Sequence, residues 1–351
     1  MARSTENTRP LEIGLLLCSQ FPVGDDAAAR FDEQLEQVRF VRDAGFDAVF
    51  ASQHYLAHPF QYLHPIPVLS RVLAEAGDMR IGTSIALLAL PSPVDIAEQL
   101  ATLDVMSGGR LTVGVGLGYR DVEFDAFGIP EEGRLRRFLD NLDVVRQLWS
   151  QDEVTFHAQH VGLDKVPIAL RPVQRPHPPI WMAGSTDAAI RRAARRGVPW
   201  IAAAAHVDDT YLRHQVKVYR DACQEFGHEL DLPMAQEIYV APTEEQALSV
   251  VRRSLSLKYQ AYRQWGQDSI LPDDQSFDVE FDELRQGRFI IGDPAQCTER
   301  ILGLLDDVGP THLILRMQWP GMPQDEVLAN MRLFTTEVMP ALERARGKDR
   351  P

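Results

Sequence analysis

The sequence predicts a closed (β/α)8 TIM barrel, and three observations carry that expectation. Strand-like and helix-like segments alternate almost to the end of the 351 residues. The alternation amounts to about eight β-α units with no composition break between them. The first strand-like segment, LEIGLLLC (11–18), is a continuous apolar run, as a strand buried on both faces requires. Such alternation implies a parallel sheet with right-handed crossovers, and eight units favour closure over an open sheet. One domain is expected over residues 10–343, with tails at 1–9 and 344–351.

The elements follow in order. After the first strand, RFDEQLEQVRFVRDAG places Phe31, Leu35, Val38 and Val41 at helical spacing, with Gly45 as the stop. DAVFAS (47–52) is strand two, PIPVLSRVLAEAG (65–77) a helix and MRIGTSIALL (79–88) strand three. PVDIAEQLATLDVMSGG (93–109) is a helix ended by glycines, and RLTVGVG (110–116) is strand four. Arg134 to Trp149 is an amphipathic helix, and DEVTFHAQHVGL (152–163) a hairpin outside the alternation. A proline-rich connector, PVQRPHPPI, leads into strand five, IWMAG (180–184). TDAAIRRAARRG (186–197) is a helix, VPWIAA (198–203) strand six, and HVDDTYLRHQVKVYRDACQEFG a helix. MAQEIYVAP is strand seven, followed by the helix EEQALSVVRRSLSLKYQAYRQW. The acidic stretch 264–288 breaks the rhythm and reads as a lid or as a surface loop. DPAQCTERILGLLDDVG is a helix, THLILRM (311–317) strand eight, and DEVLANMRLFTTEVMPAL (325–342) the last helix.

Composition narrows the function classes. The chain is 45% hydrophobic and 25% charged, ordinary for a soluble globular protein. A formal net charge of −14 disfavours nucleic acid or an anionic membrane as partner. Cys18, Cys223 and Cys297 lie far apart in no metal or redox spacing, which suits a reducing cytoplasm. The start, MARSTENTRP, has no apolar core of a signal peptide, and SIALLALP is too short to span a bilayer.

Candidate chemistry sits where a barrel puts it, at the C-terminal ends of the strands. In SGGRLTVGVGLGYR the glycines at 114, 116 and 118 miss the G-x-G-x-x-G spacing of a dinucleotide loop. Their period of two is that of a strand, with one face cleared of side chains for something flat. Strand two ends in Gln53, His54 and Tyr55, and His54 is the best single proton-transfer candidate. The competing reading of a lone rim histidine is a hydrogen-bonded structural residue. His58 and His64 follow His54 at no recognised ligand spacing, so no metal is expected. Gly184, Ser185 and Thr186 lie between a strand and a helix start, where backbone N–H groups and the dipole favour an anion. The competing reading is that Ser185 or Thr186 is only an N-cap. A phosphate on one strand end and a planar ring over its neighbour describe a phosphorylated flavin. No nucleophile elbow, catalytic triad or P-loop is present. Asp121, Glu123 and Asp125 read as solvated loop charges, with contact to substrate as the lesser reading. Phe21, Tyr55, Phe60, Tyr62 and Trp319 are expected as pocket walls, favouring a small hydrophobic substrate, while the rim arginines Arg120 and Arg316 keep a charged sulfonate open as the lesser reading.

These residues resemble the bacterial luciferase-like flavin-dependent monooxygenases. The motifs are AGFDAVFASQHY, RIGTSIALLALPSPVDIAEQLATLDVMSGGRLTVGVGLGYRDVEFDAFG, RPHPPIWMAGST, FIIGDPAQCTERI and LFTTEVMP, in family order between Leu11 and Leu342. The resemblance implies reduced FMN (FMNH2) supplied by a separate NAD(P)H-flavin reductase, with O2 as co-substrate. It implies a flavin hydroperoxide that oxygenates the substrate, and a homodimer. It assigns His54 as acid or base, and Ser84 and Ile85 as a pair backing the flavin, often through a cis peptide. Gly116, Gly118 and Tyr119 would meet the ring, and Gly184, Ser185 and Thr186 the phosphate. Gln53, Tyr55 and Trp319 would face substrate. Departures are Gln53 before the histidine, where luciferase has glutamate, Leu117 where it has a phosphate-reaching arginine, and Gly116 where it has a reactive cysteine. Two alternatives stay open: a deazaflavin-dependent oxidoreductase that transfers hydride, and a flavin-binding protein without turnover.

Overall fold

A computed structural model describes residues 11–204, 208–271 and 276–345. Eight parallel strands follow one another around a ring: β1 (Glu12–Leu16), β2 (Ala48–Ala51), β3 (Arg80–Leu87), β4 (Leu111–Gly116), β5 (Ile180–Ala183), β6 (Trp200–Ala203), β7 (Pro233–Val240) and β8 (His312–Arg316). The ring closes because β8 pairs with β1 in the register Leu15↔Leu315, and β6 with β7 through Ala202↔Met234. Helices cross between successive strands on the outside. Several start on side-chain caps that satisfy first-turn N–H groups, as at Asp26, Asp208, Thr243 and the capping box of Asp293 and Gln296.

Period-two alternation decides what fills the barrel. Leu16, Ala48, Phe50, Trp181, Ile201 and Ile314 form an inner apolar cluster. Phe50 and Trp181 stack with centroids 5.4 Å apart and plug the middle of the ring. Gly14 on β1 and Gly82 on β3 flank Phe50. A Cβ at Gly82 would lie 2.5 Å from the Phe50 ring, and one at Gly14 2.9 Å from it. The second core layer lies between barrel and helices, with Leu15, Val49, Ile81, Val113, Met182 and Leu315 facing outward into it.

Five features outside the ring differ from or add to the sequence reading. The hairpin is observed as Glu153–Ala158 against Val161–Pro167. A ribbon of Gln20–Pro22 against Phe60–Tyr62 and a strand Ile290–Gly292 added to the edge of β7 are too short to show a period in the sequence. Residues Asp121–Ala126 form a one-turn-plus helix directly after β4. The described parts of 264–288 are packed: Trp265, Phe277, Phe281 and Leu284 are buried, and Phe277 lies 4.8 Å from Tyr259. Residues 272–275, the expected tail 1–9 and positions 346–351 lie outside the described residues; the last helix runs through Ala345. Among the described residues no helix is long and apolar enough to cross a membrane.

Candidate active site

A cavity of about 360 Å³ opens at the C-terminal ends of the strands, and every strand contributes to its wall. His54, Gln53, Ser84, Ile85, Gly116, Gly118, Tyr119, Gly184, Ser185 and Thr186 all line it. Leu16, Leu87, Phe138, Met182 and Ile201 give it apolar flanks, and Tyr62, Lys258, Tyr262, Glu237 and Arg316 a polar side.

His54 is held from behind. Its Nδ1 lies 2.9 Å from Oε1 of Glu123. A carboxylate there accepts the Nδ1 proton, so in the neutral ring Nε2 carries the lone pair available to the cavity. Tyr62, Tyr119 and Trp265 surround the imidazole at centroid distances of 5.5, 5.8 and 5.2 Å. Glu123 is completely buried, which corrects the expectation of a solvated loop charge. Its Oε1 also accepts the Tyr55 backbone N–H at 2.9 Å and Arg120 Nη1 at 3.2 Å. The short helix after β4 turns Glu123 inward beneath strand two. Arg120 is likewise not a rim group: it donates to the carbonyls of Tyr55 and Leu56 at 2.6 and 3.1 Å, and its guanidinium lies 4.2 Å from the Trp265 ring centroid.

Two of the three expected substrate residues leave the wall. Tyr55 packs outside, against His64 at 4.5 Å and Phe127 at 4.8 Å. Trp319 is wholly buried behind the wall, where its indole N–H donates to Glu237 Oε2 at 2.8 Å. Gln53 stays in the wall but is committed to structure. Its Oε1 accepts the Leu87 N–H at 2.8 Å and its Nε2 donates to the Tyr55 hydroxyl at 3.0 Å. Phe21 and Phe60 do not reach the cavity, whereas Tyr62 does.

The glycines of β4 serve a different neighbour from the one expected. A Cβ at Gly114 would collide with the Thr83 carbonyl, and one at Gly116 with the Ile85 side chain. The cleared face is therefore taken up by β3, which shifts register between Thr83 and Ala86 and carries a cis peptide between Ser84 and Ile85. Gly118 needs glycine for another reason, a φ of +87° in the left-handed region.

At the end of β5, Thr186 is the N-cap of helix Asp187–Arg195, accepting the Ala189 N–H at 3.3 Å. Gly184 packs where a Cβ would come 2.6 Å from Ala189, so strand and helix approach closely. The Gly184 carbonyl accepts from Trp200 Nε1 and the Ser185 carbonyl from Gln215 Nε2, both at 2.8 Å, which fixes the turn. Arg192, one and a half turns on, reaches the same cavity. Burial and the neighbouring Arg196 and Arg195 disfavour its charge, so an anion here would be welcome. Burial also pushes the phenols of Tyr62, Tyr119 and Tyr262 upward, which keeps their hydroxyls protonated at neutral pH.

Glu123, Arg192, Glu237, Lys258 and Tyr262 escaped the sequence reading. Only Glu237 left a signal: an acidic residue inside the apolar strand MAQEIYVAP is costly unless its charge is paired and used. Glu123 and Lys258 lie on helices whose facing depends on tertiary packing.

The protein is thus a (β/α)8 barrel whose rim cavity is bordered by a non-proline cis peptide on β3 and a strand-to-helix turn after β5. Residues 11–312 match the family model for luciferase-like monooxygenase, and the chain belongs to that family as an enzyme of the flavin-dependent monooxygenase class. The monooxygenase RslO1 from Streptomyces bottropensis superimposes with a TM-score of 0.84 at 25% identity, over 94% of this chain and 99% of that one. An F420-dependent glucose-6-phosphate dehydrogenase of Nakamurella multipartita is 27% identical over 87% of this chain and 90% of its own. An FMNH2-dependent dimethylsulfone monooxygenase of Pseudomonas putida is 29% identical over 63% of this chain and 57% of its own.

Proposed function

We propose that the protein is the oxygenase component of a two-component system, using FMNH2 delivered by a separate reductase and O2 to oxygenate a small organic substrate. The observation that carries this reading is the pairing in one cavity of a phosphate-sized turn, Gly184–Thr186 with Arg192, and a carboxylate-held histidine. The donor set fits FMN: the turn at a helix start with a nearby guanidinium suits a phosphate, and the volume lies in the range of small-molecule sites. Ser185 and Arg192 would hold the phosphate, and Ile85, Gly116 and Gly118 would border the ring.

Reduced FMN, when bound, supplies the two electrons needed to put one oxygen atom into substrate and the other into water. The protein's own part is acid–base work and exclusion of solvent. His54 Nε2 takes or gives a proton at the cavity face, and Glu123 stabilises the imidazolium and fixes its tautomer. The Tyr62 hydroxyl pairs with Ser52 Oγ at 2.5 Å and the Tyr119 hydroxyl donates to Gln267 Oε1 at 3.3 Å, which holds both rings against the imidazole. Gln267 stands in the wall and Trp265 packs against His54 on that side.

The competing cofactor is a deazaflavin, because one relative is F420-dependent. Anaerobic loading with reduced FMN or reduced F420, followed by mixing with oxygenated buffer, separates them. Our reading expects saturable binding of reduced FMN and faster O2 uptake than free FMNH2 with a cosubstrate panel. Saturable binding of reduced F420 alone would overturn it.

A further inference from the structure

The polar side of the cavity holds a buried cluster that the flavin reading does not use. Glu237 on β7 and Arg316 on β8 are register partners on adjacent strands, one alternation step above the apolar pair Ala235↔Ile314. Both side chains therefore point into the barrel at the level where the core ends and the cavity begins. Lys258, from the helix Glu244–Gln264, ion-pairs with Glu237 Oε1 and is 1% exposed. Glu237 Oε2 is occupied by the Trp319 indole.

Each oxygen of the Glu237 carboxylate thus already has a close partner, Lys258 on Oε1 and Trp319 on Oε2. Arg316 approaches it only to 3.9 Å through Nε. The Arg316 side chain is 6% exposed and the residue lines the cavity, while its Nη1 is buried without a hydrogen-bond partner. A guanidinium keeps its proton in such a place, so the charge stays and seeks an acceptor. The bookkeeping of the wall agrees. Among the described residues lining the cavity, Glu237 is the one carboxylate, against Arg192, Lys258 and Arg316. A chain of net charge −14 has gathered an excess of cations here.

Two anion positions account for them. Arg192 lies beside the turn at the end of β5. Arg316 stands on β8, which the ring order places directly across the barrel from β4 and three staves from β5. One phosphate at the Gly184–Thr186 turn would leave Arg316 unanswered.

The geometry points to Arg316, positioned by the Glu237–Lys258–Trp319 set, as the anchor for one anionic oxygen group, a carboxylate or phenolate, on an otherwise apolar substrate. This rests on the flavin reading of the opposite end of the cavity. It narrows the expectation of a small hydrophobic substrate, for which Arg316 had kept an anionic group open, to one that carries such a group. Such a group would dock against the Arg316 guanidinium while the apolar body lies along Leu16, Ala183 and Ile201 toward His54.

The test is equilibrium binding to the FMN-loaded full-length protein, with benzoate, 2-naphthoate and decanoate as probes and their methyl esters as neutral counterparts. At least one carboxylate is expected to bind about tenfold more tightly than its ester, the size of one charge-assisted contact. Arg316→Met should erase that preference, and Arg316→Lys should restore part of it, while FMN affinity measured separately stays within about twofold of the wild type. Equal affinity for acid and ester, no carboxylate binding at all, or an undiminished preference in folded Arg316→Met would overturn the proposal. Should Arg316→Met not fold, the acid-to-ester comparison in the wild type still decides. Failure of FMN itself to bind would instead strike the flavin reading, so the two outcomes stay distinct.

Discussion

Glu123 is the residue on which the acid–base reading turns. One oxygen collects a histidine N–H, a backbone N–H and an arginine, and all three donors are positioned by it. Glu123→Gln keeps the shape but removes the charge that orients and stabilises His54. Loss of a carboxylate behind a catalytic histidine typically costs on the order of 10–100-fold. We expect kcat to fall by about that factor with reduced-FMN affinity little changed, and the pH profile of kcat to shift, since the imidazolium loses its counter-charge. Stability should also drop by about 1–3 kcal/mol, because Arg120 is left buried beside a neutral amide. Unchanged kcat and pH profile, read by stopped-flow and product assay, would make His54 a structural residue. The sequence named His54 but not its partner. The missing link was a single turn of helix, whose rotation no local pattern reveals.

Among the elements, β4 and β3 teach most about what spacing means. Glycines at 114 and 116 lie on the strand that their period marked, whereas Gly118 lies past its end in a left-handed conformation. What occupies the cleared face was not legible, because a bare strand says that something approaches and not what. Here it is the Thr83 carbonyl and the Ile85 side chain. Gly116→Ala should therefore act through β3: the added methyl displaces Ile85 from its seat. Overpacking of this kind costs about 1–3 kcal/mol. Denaturant melts should show that loss, together with weaker FMN binding, and Ile85→Ala in the same chain should recover part of both. A Gly116→Ala protein of wild-type stability would show that β3 does not rest on this glycine. The barrel strands and most helices were readable from period and caps. Ribbons of three residues were not, since three residues carry no period.

For the whole molecule, eight apolar strands separated by capped helices were enough to specify closure, and the strand ends were enough to find the cavity. The polar character of its far wall was hidden, because Glu237 and Arg316 come from distant strands and Lys258 from a helix between them. The three cysteines fit the same picture of an interior that does no thiol chemistry. All are buried, and burial pushes their thiols up, Cys297 to about 12. A side chain at Gly116 would run into Ile85, so that rim position offers no reactive group, and our proposal gives proton transfer to His54. The account as a whole rests on the turn at the end of β5 gripping a phosphate while the rest of the cavity takes the ring. Anaerobic titration with reduced FMN, run beside reduced riboflavin, reads that directly. Saturable FMN binding, at least about tenfold tighter than riboflavin as a charge-assisted phosphate contact requires, is the predicted result. Equal affinities for the two, or no binding of either, would contradict it.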